Sequence, residues 1–292
     1  MQNKPTSPYI GRFAPSPTGP LHFGSAVAAI ASFLDARANN GKWLVRIEDL
    51  DPPREQPGAS ESIIESLEWL GLEWDQQIIY QSQRHEIYDQ ALQALRSSAR
   101  LFDCACSRRE VGTGPYPGTC RNGIAADKVP GSVRFRVSDQ PIRFVDGIFG
   151  EQKECLNETV GDFVLRRSDG LHAYHLAVVV DDAEQLVNHV VRGVDLLSST
   201  GRQIALQNAL GYPHPHYKHF PVVCDTAGVK LSKQTGAMGI KPEQVKSIWS
   251  RSLAFLGQPD IVGLNDLTTA QIIKLATSNW RIEALQDKAQ QT

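Results

Sequence analysis

Two short segments about two hundred residues apart hold residue types that handle phosphate: His22-x-Gly24, at the end of the run Arg12-Phe13-Ala14-Pro15-Ser16-Pro17-Thr18-Gly19-Pro20-Leu21-His22-Phe23-Gly24-Ser25, and Lys230-Leu231-Ser232-Lys233-Gln234. The first leaves an apolar strand through a Pro/Gly turn and enters an Ala-rich helix, where free backbone N–H groups can face phosphate oxygens. The second is a Gly-flanked loop whose two lysines can close over a pyrophosphate. Together they have the makings of an ATP site. His22 can donate to the phosphates, Gly24 lets a nucleotide approach the backbone, and Lys230 and Lys233 can neutralise a leaving group. Arg12, Glu48 and Arg192 form a second set, one anion with two forked cations. Cys104-x-Cys106 with Cys120 supplies three of the four ligands of an ordinary structural zinc site. Cys155, His172 and His175 are conventional candidates for the fourth, and Tyr116 is an unusual one because its phenol must lose a proton.

These residues need elements to hold them. Tyr9–Ala14 reads as a strand, followed by a helix near Gly24–Ala38 with Ala26, Ala29, Ile30, Phe33 and Leu34 at helical spacing and Asn39-Asn40-Gly41 as its stop. Trp43–Glu48 reads as a second strand. Ile63, Ile64, Leu67 and Leu70 mark one amphipathic helix, and Ile87, Ala91, Leu92 and Leu95 another. From Phe102 to about Asp169 the texture becomes turn-rich and alternating, as in Val133-Arg134-Phe135-Arg136-Val137, which predicts an inserted β-rich module. Leu186–Arg192 reads as a further strand, leading to a helix with a capping box at Thr200 and Gln203. Pro242 and Gly257 frame a terminal helix. Alternating strands and helices around an insertion predict a doubly wound parallel α/β sheet, whose ligands bind beyond the carboxyl ends of its strands. Arg12, Glu48 and Arg192 all fall near such ends, which places them in one crevice.

The two phosphate-handling segments resemble the signature motifs of class I aminoacyl-tRNA synthetases, and the whole Arg12–Ser25 run resembles the glutamyl branch. The similarity continues through Asp169-Gly170-Leu171-His172-Ala173-Tyr174-His175-Leu176, Val180-Asp181-Asp182 and Val190-Val191-Arg192-Gly193, covering roughly residues 9 to 240. Only about fifty residues follow the lysine loop, where glutamyl-tRNA synthetases carry a large anticodon-binding region. This resembles the short catalytic-core paralogues that attach glutamate to the modified wobble base queuosine of tRNA(Asp). The resemblance implies a Rossmann-like class I catalytic domain in two parts, 1–99 and 172–240, an inserted zinc-binding acceptor module at 100–171, and a helical stem-contact-like subdomain at 241–292. It implies that Glu48 holds the amino group of glutamate and that Arg12 and Arg192 hold its side-chain carboxylate. Tyr174 and the Phe13, Ala14, Pro15 and Ser16 stretch line that pocket. It also implies magnesium with ATP and one structural zinc on Cys104, Cys106, Tyr116 and Cys120. Ser25 departs from the second histidine of the general pattern and receives no catalytic role.

The 292 residues, 41% hydrophobic and 21% charged, suffice for one large core plus an insertion. No apolar run approaches the roughly 18 residues of a membrane span, and the first eight residues lack the apolar stretch of a secretion signal. The expectation is a cytoplasmic protein without a membrane partner. Five cysteines without such a signal argue for metal ligation or burial over a disulfide framework. A net charge of −2 does not advertise a nucleic-acid binder, but the charge is uneven. Residues 46–99 hold 4 Lys/Arg against 11 Asp/Glu, whereas residues 100–145 hold 8 against 4. Arg100, Arg108, Arg109, Arg121, Lys128, Arg134, Arg136 and Arg143 are therefore candidates for a phosphate-backbone patch, with a mixed solvated surface as the plain alternative. Cys224 reads as a core residue. The expected activity is ATP-dependent activation of L-glutamate without tRNA, then transfer to queuosine-bearing tRNA(Asp). The alternatives are 3′-end charging by a shortened glutamyl-tRNA synthetase, a non-catalytic tRNA-binding paralogue, and ligation of glutamate to a small amine.

Overall fold

The computed structural model describes residues 8–222 and 239–289. The chain begins with β1 (Ile10–Phe13), α1 (Phe23–Ala38), β2 (Lys42–Ile47), α2 (Ala59–Trp69), β3 (Ile79–Tyr80) and α3 (His85–Ser97). The three strands pair in parallel, with Phe13 opposite Val45 and Ile47 opposite Tyr80. Parallel neighbours require crossovers, which α1 and α2 supply. After the insertion come α6 (Tyr174–Glu184), β9 (His189–Gly193), α7 (Leu197–Leu210) and β10 (His216–Phe220), and β9 pairs with β10 in parallel. Asn188 joins the two ladders: its side-chain oxygen accepts the Ile10 N–H at 2.8 Å and its own N–H donates to the Ile10 carbonyl at 3.0 Å.

Between α3 and α6 the pairing turns antiparallel. The insertion contains β4 (Leu101–Cys104), α4 (Arg108–Val111), β5 (Ser132–Phe135), β6 (Ile142–Asp146), β7 (Gly150–Glu154), α5 (Leu156–Thr159) and β8 (Phe163–Arg166). β4, β5 and β8 make one three-stranded sheet. β6 and β7 make a separate hairpin that reaches back to the main sheet, where the Gly147 N–H donates to the Tyr217 carbonyl at 2.8 Å.

α1 is buried along almost its whole length, from Ala26 to Ala36, so it is a central helix and not a surface one. Its buried Asp35 accepts from Tyr9 Oη at 2.5 Å, Lys218 Nζ at 2.8 Å and Trp280 Nε1 at 3.1 Å. The chain closes with α8 (Val245–Phe255), α9 (Thr269–Ser278) and α10 (Glu283–Ala289), and the Trp280 bond ties the link between α9 and α10 to α1. Trp249 Nε1 adds a bond to the Leu70 carbonyl at 3.1 Å. The main core runs from β1 and β2 through α1 into α8 and α9, around fully buried Leu21, Ile30, Leu34, Trp43, Ile47 and Trp249. Each such apolar side chain contributes about 1.5–3 kcal/mol of burial. No described helix is long and apolar enough to cross a membrane.

One local reading needs correction. Thr200 does not cap α7: the helix starts at Leu197, and Thr200 sits buried inside it as an acceptor for Arg192. α1 runs from Phe23 to Ala38, as its helical spacing predicts, with His22 as its N-cap. Lys230, Lys233 and Cys224 lie outside the described residues.

Candidate active site

The three charged residues do converge. Arg12 on β1, Glu48 just beyond β2 and Arg192 on β9 line one cavity of about 340 Å³ at the carboxyl ends of the parallel strands. Phe13, Ala14, Pro15, Ser16, His22, Gly24 and Tyr174 line the same cavity. Its first strand end is locked to the second by the Glu48 N–H, which donates to the Pro15 carbonyl at 2.9 Å.

Burial of so many charges demands compensation. Strand alternation puts Arg46 and Glu48 on one face, and Arg46, fully buried, reaches three carboxylates. Its Nη2 donates to Glu48 Oε1 at 3.1 Å, its Nη1 donates to Asp182 Oδ1 at 2.8 Å, and its Nε lies 3.7 Å from Asp181. Asp182 Oδ1 also takes Arg12 Nε at 3.3 Å. Asp181 accepts from Gln81, Tyr88 and Arg84 at 2.7–2.9 Å. Burial opposes ionisation of Asp182, yet Arg12 and Arg46 hold its carboxyl below the usual range. Burial pushes Glu48 up, and Arg46 with Arg12 offsets part of that rise. Burial, aided by the Glu48 charge, pushes the Tyr174 phenol up, leaving a neutral donor beside the anion.

Both pocket arginines are gripped by one edge. Arg12 is held through Nε, and Arg192 through Nε to His219 at 2.8 Å and Nη2 to Thr200 at 2.8 Å. Arg12 Nη1 and Nη2 and Arg192 Nη1 have no protein acceptor among the described residues. The simpler fate for these arginines, pairing with Asp49 or Asp195, does not occur among the described contacts; Asp49 instead accepts from Ser82.

At the other end of the cavity, His22 Nδ1 accepts the Ser25 N–H at 3.3 Å and Nε2 meets Ser25 Oγ at 3.1 Å. Ser25 therefore fixes the imidazole at the entrance of α1, a role the sequence did not assign. The entrance, with Gly24 beside it, offers N–H groups and the positive end of a long helix to an anion.

Outside this cavity, Cys104, Cys106 and Cys120 bring their sulfurs within 4.8 Å of one another and could hold a metal ion. Cys106 and Cys120 sulfurs are 3.5 Å apart, close to the ~3.7 Å edge of a tetrahedron with about 2.3 Å zinc–sulfur bonds. Tyr116 Oη lies 3.4 Å from Cys104 Sγ and 3.7 Å from Cys106 Sγ, and it accepts the Cys120 N–H at 2.9 Å. Gly161 makes this possible, since a Cβ there would stand 2.5 Å from the Tyr116 nitrogen. Cys155, His172 and His175 are not in the cluster; His172 instead contacts Asp89 and His85. Burial works against the Cys104 thiolate, but bonds from Tyr116, the Cys106 N–H and Arg134 lower the thiol below its ordinary range.

Arg134 corrects the surface-patch reading. It is buried, with Nε on Cys104 Sγ at 3.2 Å and its guanidinium 3.9 Å above the Tyr116 ring. Lys128 pairs with Glu110 and Arg121 with Asp162, whereas Arg100, Arg108, Arg109 and Arg143 are exposed. The sequence reading also left Arg46, Asp146 and His219 without roles. A charged residue inside an otherwise apolar strand, as in Trp43-Leu44-Val45-Arg46-Ile47, was the available signal for the first.

A family model described as tRNA synthetases class I (E and Q), catalytic domain, matches residues 10–113 and 119–275. The chain belongs to this family, and is an enzyme of the ligase class with its parallel α/β catalytic fold. Among individual relatives it is similar to the glutamyl-Q tRNA(Asp) synthetase of Dechloromonas aromatica, 49% identical with 96% of each chain covered. It is also similar to the glutamyl-Q tRNA(Asp) synthetase of Thiobacillus denitrificans, 49% identical with 94% of each covered. The glutamate–tRNA synthetase structure from Elizabethkingia anophelis superposes with a TM-score of 0.79 at 26% identity, over 96% of this chain and 67% of that one.

Proposed function

We propose that this enzyme activates L-glutamate with ATP and transfers it to the queuosine base of tRNA(Asp). The observation that carries the first half is the convergence of Glu48 with two edge-gripped arginines beside the His22 helix entrance. The Glu48 carboxylate receives the substrate ammonium, and Arg12 and Arg192 take the side-chain carboxylate with their remaining N–H groups. The α-carboxylate is left to attack the α-phosphate of ATP. A carboxylate oxygen–phosphorus bond forms, the bond to the β-phosphate bridge breaks, and pyrophosphate departs. Positioning and positive charge do most of this work, supplied by His22, the α1 entrance, Lys230 and Lys233, with magnesium accompanying ATP.

The names of the near-full-length relatives support queuosine in tRNA(Asp) as acceptor. The exposed arginines at 100, 108, 109 and 143 are the candidate tRNA contacts, and 241–292 the candidate stem-contact subdomain. Cys104, Cys106, Tyr116 and Cys120 hold one structural zinc, which cross-links the 100–171 module as a disulfide would elsewhere. Glutamate-dependent exchange of pyrophosphate into ATP tests the pocket: it proceeds in the protein alone, and a requirement for tRNA contradicts the proposal. Labelled glutamate is accepted by queuosine-containing tRNA(Asp), and equal labelling of queuosine-lacking tRNA contradicts the assigned acceptor.

A further inference from the structure

Arg192 is a donor only, so the 2.8 Å contact between its Nε and His219 Nε2 requires a lone pair on that imidazole nitrogen. Nδ1 then carries the proton and donates to Asp146 Oδ2 at 2.6 Å. Asp146 is saturated as an acceptor. Its Oδ1 takes the backbone N–H groups of Ile148 at 3.0 Å, Phe149 at 2.9 Å and His219 at 3.3 Å. Asp146 and His219 are 1% and 0% exposed, and neither lines the cavity. The parallel register sets His219 directly opposite Arg192. Thr200 Oγ1 and the Leu196 carbonyl take Nη2 at 2.8 and 3.3 Å, so Nη1 alone is left for a ligand.

We propose that Asp146 and His219 are positioning residues for the substrate carboxylate. Asp146 fixes the Nδ1–H tautomer of His219, and that tautomer holds the plane of Arg192 with Nη1 directed at the cavity. Asp146 belongs to the β6–β7 hairpin, so the hairpin contributes to amino-acid recognition without touching the amino acid. An imidazole of the other tautomer would set an N–H against the Arg192 Nε–H and turn the fork away. The proposal rests on the reading of Arg192 as a glutamate-binding residue.

The test compares His219→Phe, His219→Gln, Asp146→Asn and Arg192→Ala in the full chain. Glutamate affinity is measured by calorimetry, the KM for ATP by pyrophosphate exchange, and the His219 tautomer by nitrogen NMR. His219→Phe loses a charge-assisted bond, and glutamate binding weakens about ten- to a hundredfold while the KM for ATP is unchanged. His219→Gln can accept from Arg192 and donate to Asp146, and restores affinity to within about threefold. In Asp146→Asn the amide oxygen stays with the three backbone N–H groups, so the amide nitrogen faces Nδ1. The tautomer reverses, and binding weakens as in His219→Phe. Wild-type affinity in both His219→Phe and Asp146→Asn, with binding lost in Arg192→Ala, overturns the positioning role alone. Normal glutamate binding in Arg192→Ala overturns the pocket reading and the proposal with it. Should His219→Phe not fold, an Nε2–H tautomer in the wild-type protein, or normal affinity in Asp146→Asn, still contradicts the proposal.

Discussion

Arg46→Met isolates the electrostatic frame of the pocket. The guanidinium is wholly buried and meets Glu48, Asp182 and Asp181 at 3.1, 2.8 and 3.7 Å. After the substitution Asp182 keeps Arg12 and Asp181 keeps Arg84, but Glu48 loses its hydrogen-bonded cation. Breaking one side of a buried ion network costs about 3–5 kcal/mol. For a chain of this size that is a fall in melting temperature of roughly 10 °C. The pH dependence has a definite sign. Glu48 already has a folded pKa above its unfolded value, so its ionised form opposes folding, and it is driven higher without Arg46. Asp182 has a depressed folded pKa, so its stabilisation is present above the unfolded value and is lost on acidification. The damage in Arg46→Met is therefore greatest at neutral pH and shrinks toward pH ~4–5 as Glu48 protonates, whereas the Asp182 contribution fades only at still lower pH, below the ordinary carboxylate range. Thermal melts of wild type and variant at neutral and mildly acidic pH measure this gap. A variant as stable as wild type, or a gap that widens on acidification, refutes the argument.

Lys233→Ala slows adenylation about 10²–10³-fold with little change in glutamate affinity, as expected for a contact realised in the transition state; single-turnover rates beside calorimetry separate the two. Elemental analysis finds one zinc per chain, Cys120→Ser loses it, and a value near zero in wild type leaves the cysteines as small buried hydrophobes. Arg108→Glu with Arg109→Glu weakens tRNA binding and flattens its salt dependence while sparing tRNA-free exchange. Arg134→Glu instead unfolds the cysteine module, because that side chain is buried against Cys104 and Tyr116, and limited proteolysis reports it.

The strands and helices of the parallel sheet were legible from short apolar runs and helically spaced apolar residues set between turn residues, and the carboxyl-end rule alone placed Arg12, Glu48 and Arg192 together. What the sequence hid is long-range. Asp182 looks like any acidic residue late in a helix, yet it joins Arg12 to Arg46 across 170 and 136 positions of chain. His219 is an unremarkable histidine until β10 registers against β9. Thr200 misled because Ser/Thr three residues before Gln reads as a capping box, whereas the hydroxyl is spent on Arg192. Arg134 misled because alternation predicts a solvent-facing arginine, and here that face covers the cysteine cluster.

The site of glutamate attachment tests the central claim most directly. Queuosine-bearing tRNA(Asp) is charged with labelled glutamate, digested with nuclease, and the label is located. The account predicts label on the anticodon fragment, on a hydroxyl of the queuosine cyclopentene ring. Label on the 3′-terminal adenosine with none on the anticodon fragment would contradict it and make the protein a shortened glutamyl-tRNA synthetase.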